Sequence, residues 1–305
     1  MSRYVDVNIY LGKKKINVTV IFAAAVVLVA IACLLVIILI PGRGISTVSQ
    51  GRKLFAKERY VIHAGGLVEG DNGETFDYTN SLEALHNCYE QGNRIAEFDF
   101  MITSDDEIVC AHGDDEEVTW AHDVENAGWK DNPPTFETFM NAKVDGTLTT
   151  MSLDDLASFM NEHSDFYVVT DVKDDNFLVC KQIREKYPKL LNNFIIQIYH
   201  TDEYDRIRQL GFTYIIYTLY RATDTELTPE DLTQFVKHHK LIGVCFWADF
   251  EESYPESFEA LKAAGLPLFV HTVNDKEQMQ KFLDLGVTGI YTDIANKEDQ
   301  VTEGE

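Results

Sequence analysis

Positive charge is scarce in this sequence. Its 305 residues hold 26 Lys and Arg against 50 Asp and Glu, a net charge of −24. The deficit is uneven: nine basic and two acidic residues precede Tyr60, and 17 basic and 48 acidic ones follow from there. A region carrying −31 repels a phosphate backbone, which excludes nucleic acid as a partner, and it suits a domain that meets a divalent cation. Cysteine is sparse as well. Cys33, Cys88, Cys110, Cys180 and Cys245 stand at wide spacings without a CxxC pair. That excludes a thiolate metal site and reads as small core hydrophobes. Internal repeats and low-complexity tracts are also missing, which excludes a solenoid or a fibre.

What is present begins with one long apolar run. Val20 to Ile40 is 21 residues without a charged or polar side chain, and about 20 such residues cross a bilayer core as a helix. Ala30-Ile31-Ala32 resembles a signal-cleavage site but sits inside the run, so an uncleaved transmembrane helix is expected. Lys13, Lys14 and Lys15 flank it on one side and Arg43 on the other. The positive-inside rule then gives a single-pass protein with residues 1–19 as a cytoplasmic tail and an extracytoplasmic domain. Pro41-Gly42-Arg43-Gly44 stops the helix, and residues 41–59 read as a linker.

From Tyr60 the chain alternates apolar and amphipathic stretches. Strands are expected at Tyr60–Ala64, Ile95–Phe100, Phe166–Asp171, Phe194–Ile198, Thr213–Tyr217, Leu241–Cys245, Leu266–His271 and Gly289–Thr292. Helices are expected at Asn80–Gln91, Ser152–His163, Asn176–Tyr187, Asp202–Leu210, Thr228–His239, Ser257–Ala264 and Lys276–Leu285. Gly211, Gly265 and Gly286 each follow a helical stretch, as C-terminal caps do. Eight such units over residues 60–297 predict a (β/α)8 TIM barrel, class α/β, preceded by the transmembrane helix. An extra strand, Ile108–His112, should pair beside the second barrel strand. Residues 113–150 read as an insertion near the site, and residues 298–305 as an acidic tail.

A barrel of this kind does chemistry at the C-terminal ends of its strands. Those ends hold His63, Glu97, Asp99, Asp171, Gln197 and His271, with His112 closing the extra strand. Glu97 and Asp99, at i and i+2, share one side of their strand. Facing inward they repel, and a hard divalent cation, Mg²⁺ or Ca²⁺, removes the conflict. The remaining histidines (His86, His122, His163, His200, His238 and His239) have no partners by sequence logic and read as surface residues. Asp114 to Glu117 reads as a solvated loop.

The order of these elements is specific. His63-Ala-Gly-Gly is followed by Glu97-Phe-Asp99, Ala111-His112-Gly-Asp, Thr170-Asp171-Val172-Lys173, His271-Thr-Val-Asn274-Asp and Thr292-Asp293. This succession resembles the glycerophosphodiester phosphodiesterase family from Tyr60 to about Lys297. The resemblance implies that Glu97, Asp99 and Asp171 hold one divalent cation and that Lys173 meets the substrate phosphate. His63 and His112 would form an acid/base pair. Gln197 and His271, by their places at strand ends and not by the resemblance, are candidates to line the substrate site. The implied substrate is a small-molecule or lipid-headgroup phosphodiester. Other reactions on the same site are a phospholipase-like attack on intact lipid through a cyclic phosphate, or headgroup binding without turnover. The sequence departs from the family pattern at Ala64, where an arginine is usual. It departs again at Thr79-Asn80-Ser81, where Glu-Asn-Thr is usual, and at His271, where a tryptophan is usual.

Overall fold

A strand that is apolar on both faces must be covered on both, and a parallel barrel with an outer ring of helices does this. The computed structural model describes residues 8–11, 14–17, 22, 25–28, 47–71, 73–113 and 132–301. Within it, eight parallel strands close into a ring: β1 (Tyr60–Ile62), β2 (Ile95–Ile102), β3 (Tyr167–Val172), β4 (Phe194–Ile198), β5 (Ile215–Thr218), β6 (Gly243–Trp247), β7 (Leu268–His271) and β8 (Gly289–Thr292). Each strand pairs with the next. Pairing of β8 with β1, and of Ile62 in β1 with Ala96 in β2, closes the ring. The barrel is thus present with boundaries within a few residues of those expected.

Ile108–Cys110 runs antiparallel to β2, as the extra strand should, and Met151–Ser152 adds to its far edge. Helices follow the strands at Leu82–Glu90, Leu153–Glu162, Asn176–Lys186, Glu203–Gln209, Pro229–His238, Pro255–Ala264 and Lys276–Asp284. Five of these starts are fixed by side-chain caps: Ser81, Asp175, Thr228, Asp275 and a reciprocal Ser152–Asp155 capping box. The four described cysteines are buried and unbridged, as expected of core residues.

Two apolar layers result. Phe98, Phe100, Val168, Ile196 and Val244 face the helices. Val61, Ile95, Val169, Ile195, Ile216 and Phe269 fill the inside of the ring.

The expected linker is corrected by the structure. Val48–Lys57 is a helix, α1, capped by Thr47 and Gln50, and it covers the N-terminal end of the barrel. Phe55 enters that end and packs edge-on against Phe269, with ring centroids 4.5 Å apart. Gly51 permits the approach: a Cβ there would stand 2.7 Å from Ile242 and 2.9 Å from Tyr214. Arg52 donates to the Leu241 carbonyl at 2.8 Å. Burying one phenylalanine contributes about 1.5–3 kcal/mol, so this end of the barrel is closed by packing.

At the other terminus the expected acidic tail is partly absorbed into the domain. Gln300 is buried and donates to Asn93 and to the Ile294 carbonyl, and the Tyr60 hydroxyl donates to the Val301 carbonyl at 2.8 Å. Of the insertion, residues 132–150 form the helix Phe136–Met140 and a small hairpin, Lys143–Val144 with Leu148–Thr149. Asp114 to Glu117 and His122 lie outside the described residues.

Residues 1–45 form a separate unit. Asn8–Leu11 pairs antiparallel with Lys14–Asn17. The expected transmembrane helix, Val20–Ile40, lies mostly outside the described residues; Phe22 and Ala25–Leu28 are helical. Among the described residues no helix is long and apolar enough to cross a membrane.

Candidate active site

Register places the acids. Asp99 on β2 and Asp171 on β3 are direct partners across the two strands, and Glu97 lies two residues before Asp99. One oxygen from each of Glu97, Asp99 and Asp171 lies within 4.8 Å of the others. Glu97 is 2% exposed, and its Oε1 is buried without a partner, while Oε2 accepts from the Ala64 backbone at 3.1 Å. Burial and the neighbouring Asp99 push the Glu97 carboxyl well above the usual carboxylate range. Asp171 moves the other way. Burial alone would raise it, but Lys173 and the hydroxyls of Tyr199 and Tyr220 hold it below its ordinary value. Three hard oxygen donors, one of them orphaned, fit a single divalent cation.

The histidines flank this group. His63 ends β1, where Ala64 adopts a left-handed conformation (φ 47°) and Gly66 follows at φ 84°. A Cβ on Gly66 would stand 2.6 Å from Ile62, so the turn needs glycine there on both counts. The His63 Nδ1 atom bonds Asp293 Oδ1 at 2.8 Å, and Nε2 lies 3.9 Å from Glu97 Oε2. Burial opposes charge on this ring. The bond to Asp293 and the fields of Glu97, Asp293 and Asp99 outweigh it and raise the pKa to about 9. His112 lies across the same cavity, and the Tyr78 ring packs against both imidazoles at 4.5 and 5.0 Å between centroids.

The cavity measures about 180 Å³. Its walls include seven of the eight residues singled out from the sequence; only Asp99, fully buried behind them, is not exposed to it. The Lys173 ammonium bridges Asp171 Oδ2 at 2.8 Å and Asp99 Oδ1 at 3.0 Å. Gln197 is buried and accepts a long bond from Tyr291 at 3.5 Å. The His271 Nε2 atom is buried without a partner beside Tyr220 and Tyr291, and burial lowers that ring to about 4. It is therefore neutral near pH 7.

Several residues here were named in the sequence only as motif members without a role (Asn80, Asn274, Asp293) or not at all (Tyr199, Tyr220). Asp293 anchors His63, and Asn274 donates to Asp293 Oδ2 while accepting from the Asp293 backbone and from Thr292. The Thr-Val-Asn and Thr-Asp segments thus meet as one support beneath His63. Asn80 donates to Asp99 Oδ2 at 2.9 Å and accepts from the Asp99 backbone at 3.0 Å. Tyr199 and Tyr220 donate to Asp171 Oδ1 at 2.5 and 2.7 Å. Such supports fix ligand and imidazole orientation. Among the other described histidines, His200 bonds Glu226 and His239 bonds the Phe235 carbonyl.

The profile of the glycerophosphoryl diester phosphodiesterase family matches residues 70–297, a span that opens seven residues after His63. Among solved structures the chain is similar to a glycerophosphodiester phosphodiesterase from Parabacteroides distasonis. That match has 18% identity and a TM-score of 0.59, and covers 79% of this chain and 94% of the other. A glycerophosphodiester phosphodiesterase from Thermotoga maritima matches at 20% identity and a TM-score of 0.56, covering 78% and 95%. A phosphodiesterase from Oleispira antarctica, solved with the product sn-glycerol-3-phosphate, matches at 14% identity and a TM-score of 0.56, covering 78% and 94%. At these identities the solved structures establish a shared fold.

Proposed function

The chain belongs to the glycerophosphoryl diester phosphodiesterase family, a family of phosphoric diester hydrolases, and on that premise we propose that it hydrolyses a glycerophosphodiester to a phosphomonoester and an alcohol. One observation carries the reading: three carboxylate oxygens lie within 4.8 Å of one another, and two of those acids, Glu97 and Asp171, line a single small cavity together with His63 and His112. Glycerol 3-phosphate is the expected phosphomonoester. The Oleispira antarctica phosphodiesterase, with sn-glycerol-3-phosphate as its product, supports that expectation.

Glu97, Asp99 and Asp171 would hold one divalent cation, which when bound supplies Lewis-acid neutralisation of the charge growing on the phosphate oxygens. The chain's own groups do the rest. His63 and His112 are the acid/base pair: one takes a proton from the attacking water, or from the substrate's own hydroxyl with water opening the resulting cyclic phosphate in a second step, and the other gives a proton to the departing alkoxide. A P–O bond forms to the first oxygen as the bond to the second breaks. Asp293 occupies His63 Nδ1, so proton exchange with the substrate falls to Nε2. Lys173 serves as a point charge for phosphate, and Gln197 and His271 contribute polar atoms to the walls that meet the alcohol portion.

The membrane placement belongs to the same proposal. Val20 to Ile40 anchors the chain and leaves the barrel on the extracytoplasmic side, which the apolar length and the flanking lysines support. Protease protection in sealed vesicles tests it.

Activity is tested with the full-length protein in detergent. Glycerophosphodiesters with Mg²⁺ or Ca²⁺ should yield a phosphomonoester signal by phosphorus NMR, and chelator should stop its growth. Failure to turn over any diester under any divalent cation would sink the reading.

A further inference from the structure

The acids of the site have few oxygens left to give. Asp171 Oδ1 is occupied by the Tyr199 and Tyr220 hydroxyls, which leaves Oδ2. Asp99 Oδ2 is occupied by the Asn80 amide, which leaves Oδ1. The Lys173 Nζ atom sits on both remaining oxygens, at 2.8 and 3.0 Å. Glu97 Oε1, buried and unpartnered, completes the set and gives it an unmet demand for positive charge.

We propose that the Lys173 ammonium is a built-in competitor of the divalent cation, holding the two oxygens the cation needs and moving into the cavity when the cation takes them. The proposal rests on the cation reading above and adds an order to it. An ammonium and a divalent ion cannot share so small a group of oxygens without strong repulsion, since the donor atoms span no more than 4.8 Å. The tyrosine and asparagine bonds keep the acids from turning other oxygens to the ion. The lysine stem is flexible, its side chain is only 12% exposed, and it already borders the cavity. Displaced from the carboxylates, it has the cavity to enter, where it becomes the counter-charge for a substrate phosphate. The lysine is therefore free for phosphate only after the cation has bound. Without the cation, it stays paired with both acids.

Titration calorimetry of Ca²⁺ and Mg²⁺ against the substrate-free, full-length protein and its Lys173→Met variant tests this. Removing the competitor should tighten the dissociation constant about tenfold or more, which corresponds to about 1.4 kcal/mol. A second measurement uses the wild type alone. Acetylation of Lys173 by an activated ester, read by peptide mass spectrometry, should rise several-fold on adding the cation, and it decides the matter if the variant does not fold. Equal or weaker cation binding by the variant, with Lys173 labelling insensitive to the cation, overturns the competition and leaves the cation site intact. Absence of cation binding by both proteins overturns the site itself and the competition with it.

Discussion

The two ends of this barrel are built on opposite terms. At the N-terminal end, Phe55 of α1 fills the ring against Val61, Ile95, Val169 and Phe269, and Gly51 lets the helix backbone close in. At the C-terminal end, buried polar atoms of Glu97, Thr218 and His271 have no partner, and three acids crowd together. One end spends its sequence on stability; the other gives stability up in order to keep donors available for a ligand. The same strands serve both, because residues two apart on β2 point inward at successive heights: Ile95 into the plug, then Glu97 and Asp99 towards the mouth.

Substitutions at the two ends should therefore have opposite signatures. The largest effect belongs to Glu97→Gln, which should lower turnover on the order of 1,000-fold, since on the function proposed above it removes a cation ligand and with it several kcal/mol of transition-state stabilisation. Its melting temperature without a cation should hold or rise, because a carboxylate disfavoured by burial and by Asp99 is gone. A fall in stability with activity retained would invert the comparison.

Phe55→Ala comes next. It should cost about 3–5 kcal/mol in denaturant unfolding, the range for emptying a buried aromatic site. Turnover per folded molecule should not change. If turnover falls with the plug truncated, the ends are not independent.

Asp293→Asn sharpens the boundary at the mouth. His63 carries a folded pKa near 9 against 6.5 unfolded. A raised pKa stabilises the fold fully below pH 6.5, and that contribution is lost as pH rises through about 9. In chelator, the wild-type melting temperature should thus fall across this window more steeply than that of the variant. Parallel curves would remove Asp293 from the role of anchor.

Arg52→Met should have the smallest effect, about 1.5–3 kcal/mol for one charged donor on a carbonyl. A loss matching that of Phe55→Ala would show the lower end to be held by hydrogen bonding and not by packing.

The mouth was more legible in the sequence than the base. His63, Glu97, Asp99, His112, Asp171 and Lys173 fall at strand ends in a set order, and the two-residue period of a strand puts Glu97 over Asp99 with no knowledge of tertiary structure. The plug was hidden because α1 mixes Ser, Gln, Arg and Lys with a glycine and follows Pro41-Gly42-Arg43-Gly44, and it buries only Gly51 and Phe55, so the segment reads as a continuation of the linker. Supports of the site were hidden for another reason. Asp293 meets His63 across 230 residues, and Tyr199 and Tyr220 reach Asp171 across 28 and 49 residues from the ends of β4 and β5. Such contacts depend on closure of the ring, which no local pattern encodes.

Ring closure also sets when the protein becomes competent. The join between the first and last strands is where His63 meets its anchor, so a polypeptide still emerging from the ribosome holds that imidazole unmoored until residues 289–293 arrive. Loss of those few residues by a nick would silence an otherwise nearly whole chain. In this arrangement the last barrel strand in the chain leads directly into the carboxylate that seats the first histidine.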